Sequence, residues 1–288
     1  MRFSRGILSV FITLFLIIAG ATCSPAQEKC AGTYGAGKTK FSLATGSPGE
    51  LGLLKVLGEA FGDKAGATLC WVKAGSGESL QLLKEKKVDM IMVHAPDAEK
   101  KAVADGWAAN RILIGSNEFY IVGPAADPAK IAQAKNVVDA YTRIASAKAK
   151  FFSRGDNSGT HKKEMDAWKK SGLTPGGEWY IVTKDFMTAT LRRADAEKGY
   201  FMTDSSTWAA EKKNTPDLTI LFRGDKFLVN TYHTLSLPDG QSPGAAIAAK
   251  FIQFVASPDG QKIIRDFGRG EHGEGLYNDA DYAKKYDD

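Results

Sequence analysis

The chain contains few of the residues that build metal centres and disulfide scaffolds. Its 288 residues include only 3 cysteines and 4 histidines. Three cysteines are too few for a disulfide framework or a zinc cluster, and the histidines show no metal-ligand spacing. The G-x-S-x-G and H-E-x-x-H motifs of hydrolases are also missing. We therefore predict no metal, no cofactor and no enzymatic activity.

An excess of charge of one sign is missing too. There are 38 Lys and Arg residues against 33 Asp and Glu, a formal net charge of +5. Arg2 and Arg5 lie in an N-terminal segment that we predict is removed, which leaves 36 against 33, or +3. Proteins that bind nucleic acids concentrate basic residues on one face, so we expect no nucleic-acid partner. A hydrophobic content of 43% with 25% charged residues is typical of a globular chain that buries a core.

Residues 1–26 have the form of a cleaved secretory signal peptide. Two arginines precede an apolar run over residues 7–20, and small residues follow. The run is shorter than the roughly 20 apolar residues of a transmembrane helix. Cut sites after Ala21 and after Ala26 compete. We predict a periplasmic protein; a lipid anchor on Cys23 is a less favoured alternative, because the threonine before it is larger than the Gly or Ala that such processing usually needs.

The two remaining cysteines would form a pair after export. A cut after Ala26 leaves Cys30 and Cys70 in a compartment that permits disulfides. We predict a Cys30–Cys70 bridge. The alternative is a free Cys70 buried in an apolar strand.

Short apolar runs alternate with amphipathic stretches, the pattern of an α/β protein. The runs that suit buried strands are residues 40–43, 68–72, 90–93, 119–122, 151–153, 180–183, 200–203 and 218–222. The stretches with helical spacing are residues 51–61, 79–86, 98–105, 137–148, 162–171 and 245–267. In such units the first turn of each helix lies at the carboxyl edge of the sheet, where ligands bind.

Two of the strand–helix loops are rich in glycine and serine. The first, residues 45–50, reads TGSPGE, with Ser47 expected as the N-cap and Pro48 as the first helical residue. The second, residues 74–79, reads AGSGES and suits a nest of N–H groups for a small anion. It is a weak dinucleotide fingerprint, because Leu80 stands where the third glycine should be. A purely structural role for the first loop is the alternative.

The third loop is the densest in polar residues. Residues 153–161 read SRGDNSGTH, between an apolar strand and a helix expected to begin near Lys162. Arg154 can make paired hydrogen bonds to an oxyanion, and the helix start adds free N–H groups. Residues 32–39 match the phosphate-loop pattern G-x-x-x-x-G-K-[ST], but a strand rather than a helix is expected to follow them. The sequence therefore predicts a small-anion site built by loops, without nucleotide binding.

Most of the mature chain resembles the TupA-like tungstate-binding proteins of bacterial ABC uptake systems. The segments that carry the resemblance are LAT at 43–45, VHAP at 93–96, Asn117, IVGP at 121–124, SRGDNSGTHKKE at 153–164, WYI at 179–181, ATL at 189–191 and TD at 203–204. The resemblance implies the two-lobe type II periplasmic binding-protein fold, an α/β fold in which each lobe is a mostly parallel sheet flanked by helices. Two strands would cross between the lobes, near residues 118–122 and 227–231. Lobe 1 would then comprise residues 27–119 and 228–288, and lobe 2 residues 120–227.

The resemblance also implies a function and a set of ligand-binding residues. We expect a monomeric solute-binding protein that captures a small oxyanion, tungstate or molybdate, and delivers it to an ABC permease. The implied donors are Thr45, Gly46, Ser47 and Ser76 from lobe 1 and Arg154, Ser158, Gly159 and Thr160 from lobe 2, with Met187, Thr188 and Thr190 as weaker candidates from the loop before another helix.

The first loop departs from the family pattern. Tungstate binders typically carry Thr-Thr-Thr-Ser followed by Ser-Gly-Leu there, whereas this chain has TGSPGELGL. A Glu50 carboxylate facing the cleft would repel an oxyanion, so we expect it to point away, as is ordinary for a first-turn glutamate. The alternatives are a phosphate-like anion or small organic carboxylate in the same fold, a sensory or adhesive surface protein, or an exported hydrolase.

Overall fold

The computed structural model describes Met1 and residues 29–287. The two predicted cut sites and Cys23 lie outside the described residues. The described strands are β1 (Gly32–Tyr34), β2 (Thr39–Thr45), β3 (Ala67–Lys73), β4 (Met90–Val93), β5 (Ala109–Pro124), β6 (Phe151–Ser153), β7 (Tyr180–Val182), β8 (Tyr200–Asp204), β9 (Leu218–Phe222), β10 (Val229–Ser236) and β11 (Asn278–Asp279). The described α-helices are α1 (Ser47–Glu50), α2 (Leu53–Ala65), α3 (Ser76–Lys84), α4 (Pro96–Ala104), α5 (Val137–Ala147), α6 (Gly159–Lys170), α7 (Met187–Ala196), α8 (Ser205–Glu211), α9 (Ala245–Ala256), α10 (Pro258–Asp266), α11 (Arg269–His272) and α12 (Ala280–Ala283). Short 3-10 helices cover Ile131–Gln133, Lys226–Leu228 and Lys284–Tyr286.

The strands follow one path in the order β1-β3-β2-β4-β10-β5-β8-β6-β7, with β9 and β11 also paired to β5. The 16-residue strand β5 joins the two ends of this path. Its partner is β10 up to Glu118 and β8 from Phe119 onward. We call the part built on β1–β4 and β10 the first lobe, and the part built on β6–β9 the second lobe. Parallel pairing of β2 with β3 and β4, and of β6 with β7 and β8, gives each lobe the parallel core of the type II fold.

Alternating side chains bury both faces of the first lobe's sheet. In β2, Phe41 and Leu43 belong to one apolar cluster, whereas Ala44 belongs to the cluster on the opposite face, as the two-residue period of a strand requires. In β4, Met92 and Ile91 divide in the same way. The second lobe has its own cluster, drawn from residues 119–228. The exact domain limits stay a prediction.

Helix starts differ from the sequence prediction in three places. Gly46, not Ser47, is the N-cap of α1, so Pro48 takes the second helical position. Helix α6 begins at Gly159 rather than near Lys162, because the Ser158 hydroxyl caps it. Residues 187, 188 and 190 lie in the first turn of α7 rather than in the loop before it.

The predicted helix over residues 245–267 is wrong, because two helices occupy this range. Helix α9 ends at Ala256 and α10 begins at Pro258. Pro258 has no N–H to continue the first helix, while the Ser257 hydroxyl caps the second. Strand β5 is also much longer than the predicted run at 119–122. Polar residues such as Asn117 interrupt the apolar pattern in its first half.

The predicted disulfide is confirmed. Cys30 and Cys70 are bonded across 40 residues of sequence. The Ala31 N–H donates to the Trp71 carbonyl (2.7 Å), so the bridge fastens the N-terminal segment beside β3. None of the helices in the described part of the chain is long and apolar enough to cross a bilayer.

Candidate anion-binding site

The three predicted loops meet at one place between the lobes. A Cβ built on Gly46 would lie 3.4 Å from the Ala74 carbonyl oxygen, which brings the first loop against the second. A Cβ on Gly75 would lie 3.1 Å from the Ser158 Cβ, which brings the second loop against the third. A side chain at Gly75 would therefore push the lobes apart, since a contact this close leaves no room for added atoms.

A fourth loop, just before α7, contacts both the third loop and the end of β3. Arg154 Nε donates to the Asp185 carbonyl (3.2 Å), and its guanidinium lies 5.5 Å from the ring centre of Phe186. Lys73, at the end of β3 in the first lobe, places Nζ 4.2 Å from the same ring. Phe186 thus stands between one cation from each lobe, a favourable arrangement for an aromatic face.

Arg154 is buried, and a carboxylate compensates its charge. The side chain is only 5% exposed, and Nη2 lies 2.6 Å from Asp156 Oδ2. The other oxygen, Asp156 Oδ1, accepts from the Ser158 N–H (3.1 Å). Asp156 therefore fixes both the guanidinium and the start of α6. Sequence reasoning missed this role, although the R-x-D spacing could have indicated it.

The start of α6 presents free hydrogen-bond donors. The first N–H groups of a helix have no partner within it, and Ser158 Oγ accepts from the His161 N–H (3.2 Å). Thr160 is 1% exposed, and its Oγ1 has no hydrogen-bond partner among the described residues. A buried hydroxyl without a partner is uncommon unless a ligand or water completes it. The arrangement favours an anion at this helix end.

The first lobe contributes Ser76 at the start of α3. Ser76 is buried, and its Oγ accepts from the His94 N–H (3.2 Å), which leaves its own hydrogen available to a ligand. Thr45 differs, because its hydroxyl donates to the Met92 carbonyl (2.8 Å) and so joins β2 to β4. Gly46 and Ser47 lie at the start of α1, both partly exposed.

The α7 candidates are placed beside the site less directly. Thr190 is fully buried, and its hydroxyl pairs with that of Thr183 (2.9 Å). Thr188 is partly exposed in the first turn, and Met187 is buried. The structure therefore brings Ser76, the start of α6 and Arg154 together. The Thr45 and Thr190 hydroxyls instead form hydrogen bonds within their own lobes.

The departure at Glu50 is compensated within the first lobe. The carboxylate lies 2.8 Å from Lys73 Nζ. This partner reduces the repulsion that an unpaired carboxylate would exert on an anion. The two residues are far apart in sequence, so the pairing had no sequence signal.

His94 has the structural role that is usual for a histidine after an apolar strand. Its Nδ1 lies 2.9 Å from Asn230 Oδ1, and its ring packs 4.8 Å from that of Tyr232. Burial lowers the pKa of His94 to about 3, so the ring is neutral near pH 7. The hydrogen bonds continue from Asn230 Nδ2 to Asn117 Oδ1 (2.7 Å) and from Asn117 Nδ2 to Asp204 Oδ1 (3.1 Å). This chain links the cleft to both crossing strands, and sequence reasoning missed it.

A cavity of about 390 Å³ opens between the lobes beside this ring of loops. The first lobe lines it with residues 94–98, and α6 lines it with Gly159, Lys162, Lys163 and Asp166. The Lys163 ammonium donates to the Phe227 carbonyl (3.2 Å), just before β10. The start of α6 is therefore reached from solvent between the lobes.

Comparisons with known proteins agree with the fold. Residues 31–259 match the family model of the PBP superfamily domain. The tungstate-binding protein TupA of Peptoclostridium acidaminophilum is 32% identical over 280 residues, which cover 95% of this chain and 98% of that protein. The crystal structure of the tungstate ABC transporter from Geobacter sulfurreducens is 38% identical, covers 81% of this chain and 100% of that chain, and superposes with a TM-score of 0.72. The tungstate-binding protein TupA from Desulfovibrio alaskensis G20 is 36% identical, with 84% and 98% coverage and a TM-score of 0.68.

The architecture is that of a two-lobed type II periplasmic binding protein, as the sequence resemblance predicted. The chain belongs to the PBP superfamily and, within it, to the TupA-like family.

Proposed function

We propose that the protein is the solute-binding component of an ABC uptake system that captures a small oxyanion, tungstate or molybdate, between its lobes. It is exported to the periplasm, acts as a monomer, binds its ligand without chemical change and delivers it to a membrane permease. The names of the relatives support the ligand class and the transport role.

The observation that carries the proposal is the contact between the starts of α3 and α6. Gly75, next to α3, lies against Ser158, the cap of α6. Two helix N-termini from different lobes therefore face one small volume, each with free N–H groups and a positive dipole end. The buried hydroxyl of Thr160 and the buried guanidinium of Arg154 add donors beside them.

The donors suit an anion that carries no proton. We propose Thr45, Gly46, Ser47 and Ser76 from the first lobe and Arg154, Ser158, Gly159 and Thr160 from the second, with Thr188 and Thr190 flanking them. At Thr45 and Thr190 the backbone or methyl group would face the ligand, since their hydroxyls already have partners. Arg154 and Lys73, the cations on either side of Phe186, are each paired with a carboxylate. The anion is therefore stabilised mainly by oriented dipoles, as in other preorganised oxyanion sites.

Closure follows from the way the lobes are joined. Strand β5 changes partner between Glu118 and Phe119, and β10 begins at Val229. We propose that these two crossings form the hinge, with residues 27–119 and 228–288 in one domain and 120–227 in the other. Ligand held between α3 and α6 would favour the closed form, because only that form supplies donors from both lobes.

Titration calorimetry tests this proposal. Tungstate, molybdate, sulfate, phosphate and acetate are titrated separately into the purified mature protein. We expect heat with tungstate or molybdate and much weaker binding of acetate. The Phe186 ring beside Arg154 favours a small organic carboxylate as the second candidate, and preferential binding of acetate would select it. No heat with any of the five anions would overturn anion capture.

A further inference from the structure

A buried carboxyl group lies on α6, one turn beyond the start of the helix. Glu164 is 1% exposed and follows Thr160 by one helical turn. Side chains four residues apart on a helix are neighbours, with Cβ atoms about 5–6 Å apart. The Glu164 side chain is therefore a neighbour of Thr160, whose hydroxyl has no hydrogen-bond partner among the described residues.

Neutral donors surround this carboxyl. Glu164 Oε1 accepts from the Tyr180 hydroxyl (2.7 Å) on β7 and from Trp168 Nε1 (3.2 Å) on α6. Among the salt bridges of residues 29–287, none includes Glu164. The charge of Asp156 acts on it, and Asp156 is paired with Arg154 in the anion loop itself. A buried carboxylate without a cation is energetically costly. Protonation of Glu164 removes that cost from the folded lobe.

The charge on Glu164 changes near neutral pH. Burial raises the pKa of the Glu164 carboxyl to about 7, against the opposing effect of the hydrogen bond from Tyr180, while the negative charge of Asp156 raises it further. The phenols that face it stay neutral, because burial also raises the pKa values of Tyr141 on α5 and Tyr180 on β7.

Burial also shifts the pKa values of other titratable groups around α6, among them Lys163, the next residue on the helix, whose pKa it lowers. Tyr200, on the neighbouring strand β8, donates its hydroxyl to Asp127 (2.8 Å), and burial raises its pKa. His161 accepts from the Asn157 N–H (3.0 Å), and burial lowers its pKa, which disfavours its charged form.

We propose that Glu164 couples anion capture to the uptake of a proton, because the anion binds preferentially to the form in which this carboxyl is neutral. The inference rests on the proposed function and adds a regulation of the same site. An ionised carboxylate and a bound anion in one buried region repel each other. By linkage, protonation strengthens anion binding by the same factor by which the anion strengthens protonation. The protein would hold its ligand more tightly in acid surroundings and release it more readily as the pH rises.

Calorimetry of tungstate binding between about pH 6 and about pH 8.5, a range that brackets the titration of Glu164, tests the proposal. We compare the wild type with Glu164→Gln, which keeps the shape and loses the charge. The control is Glu178→Gln, which removes an exposed carboxylate from the same lobe. We expect the wild type and the control to bind about tenfold more weakly at the upper end, as typical couplings give, and Glu164→Gln to keep its affinity. Repeating the titration in buffers of different ionisation heat should show proton uptake by the wild type that Glu164→Gln lacks.

Tyr180→Phe provides a second measurement that keeps the carboxyl. Loss of the phenol donor favours the neutral form of Glu164, so the fall in affinity should move to higher pH. The inference is overturned if tungstate binds and Glu164→Gln has the same pH profile and proton uptake as the wild type, or if Tyr180→Phe leaves the profile unmoved. Absence of tungstate binding to the wild type at every pH is a different result, which overturns the proposed function together with the inference.

Discussion

Gly159 lies face to face with the imidazole of His94 across the cleft. A Cβ built on Gly159 would lie 2.5 Å from His94 Nδ1 and 2.7 Å from Nε2. Gly159 is the first residue of α6 and His94 follows β4, so this contact joins the two lobes. Only a residue without a side chain allows α6 to approach this closely.

Gly159→Ala should therefore weaken anion binding without harming the fold. The added methyl group meets the His94 ring of the other lobe, a clash that the lobes can relieve by moving apart, while alanine is at least as favourable as glycine in a helix. We expect tungstate affinity to fall at least tenfold and the ligand-free free energy of unfolding to stay level or rise. Gly176→Ala, where the Cβ would meet nothing within 4 Å, is the control for both measurements. Unchanged affinity in Gly159→Ala would contradict closure through this contact.

Arg154→Ala should remove a principal donor from the site. Hydrogen bonds to charged groups contribute about 1.5–3 kcal/mol each, so we expect tungstate to bind on the order of tenfold to a hundredfold more weakly. Arg143→Ala also removes a second-lobe arginine that is paired with a carboxylate, and it lies on α5 away from the loops. It should bind normally. Equal affinities for Arg154→Ala and the wild type, measured by calorimetry, would exclude Arg154 from the site.

The Cys30–Cys70 bridge should stabilise the protein without contributing to binding. A closed loop of 40 residues lowers the entropy of the unfolded chain enough to contribute about 4 kcal/mol. Urea unfolding of the oxidised protein and of the Cys30→Ser, Cys70→Ser double variant measures this difference. We expect a clear loss of stability with tungstate affinity retained. A double variant as stable as the oxidised protein would refute the prediction.

His94 should make the folded protein sensitive to acid. Burial lowers the pKa of His94 from 6.5 to about 3. The unfolded chain therefore binds a proton below about pH 6.5, whereas the folded protein binds it only below about pH 3. Its contribution to stability is therefore present above pH 6.5 and is lost as the pH falls through this window. His94→Gln should show a shallower loss of unfolding free energy between about pH 6 and about pH 4, where this linkage acts. The same slope in both proteins would argue against a buried neutral His94.

The parts of the site that depend on local chain geometry could be predicted from the sequence. Each strand–loop–helix unit identifies a helix start at the sheet edge, and residues 74–79 and 153–161 lie at two such starts. The pairing of Arg154 with Asp156 could also have been predicted from the sequence, because the two residues are only two positions apart.

Contacts between distant segments could not be predicted in this way. The pairing of Glu50 with Lys73 and the approach of Gly159 to His94 depend on how separate loops meet in the folded chain. The same holds for Thr190, whose sequence position suggests a ligand donor but whose hydroxyl bonds to Thr183. A hydroxyl residue near a helix start has several local partners available, and only the fold selects one of them.

A crystal structure of the mature protein grown with tungstate tests the central claim most directly, because tungsten scatters X-rays anomalously and its position can be located independently of the protein atoms. We predict one tungsten peak between the starts of α3 and α6, with its oxygens accepting from Ser76, Arg154 and Thr160. A tungsten peak outside the cleft, or an empty cleft in crystals saturated with tungstate, would contradict the account.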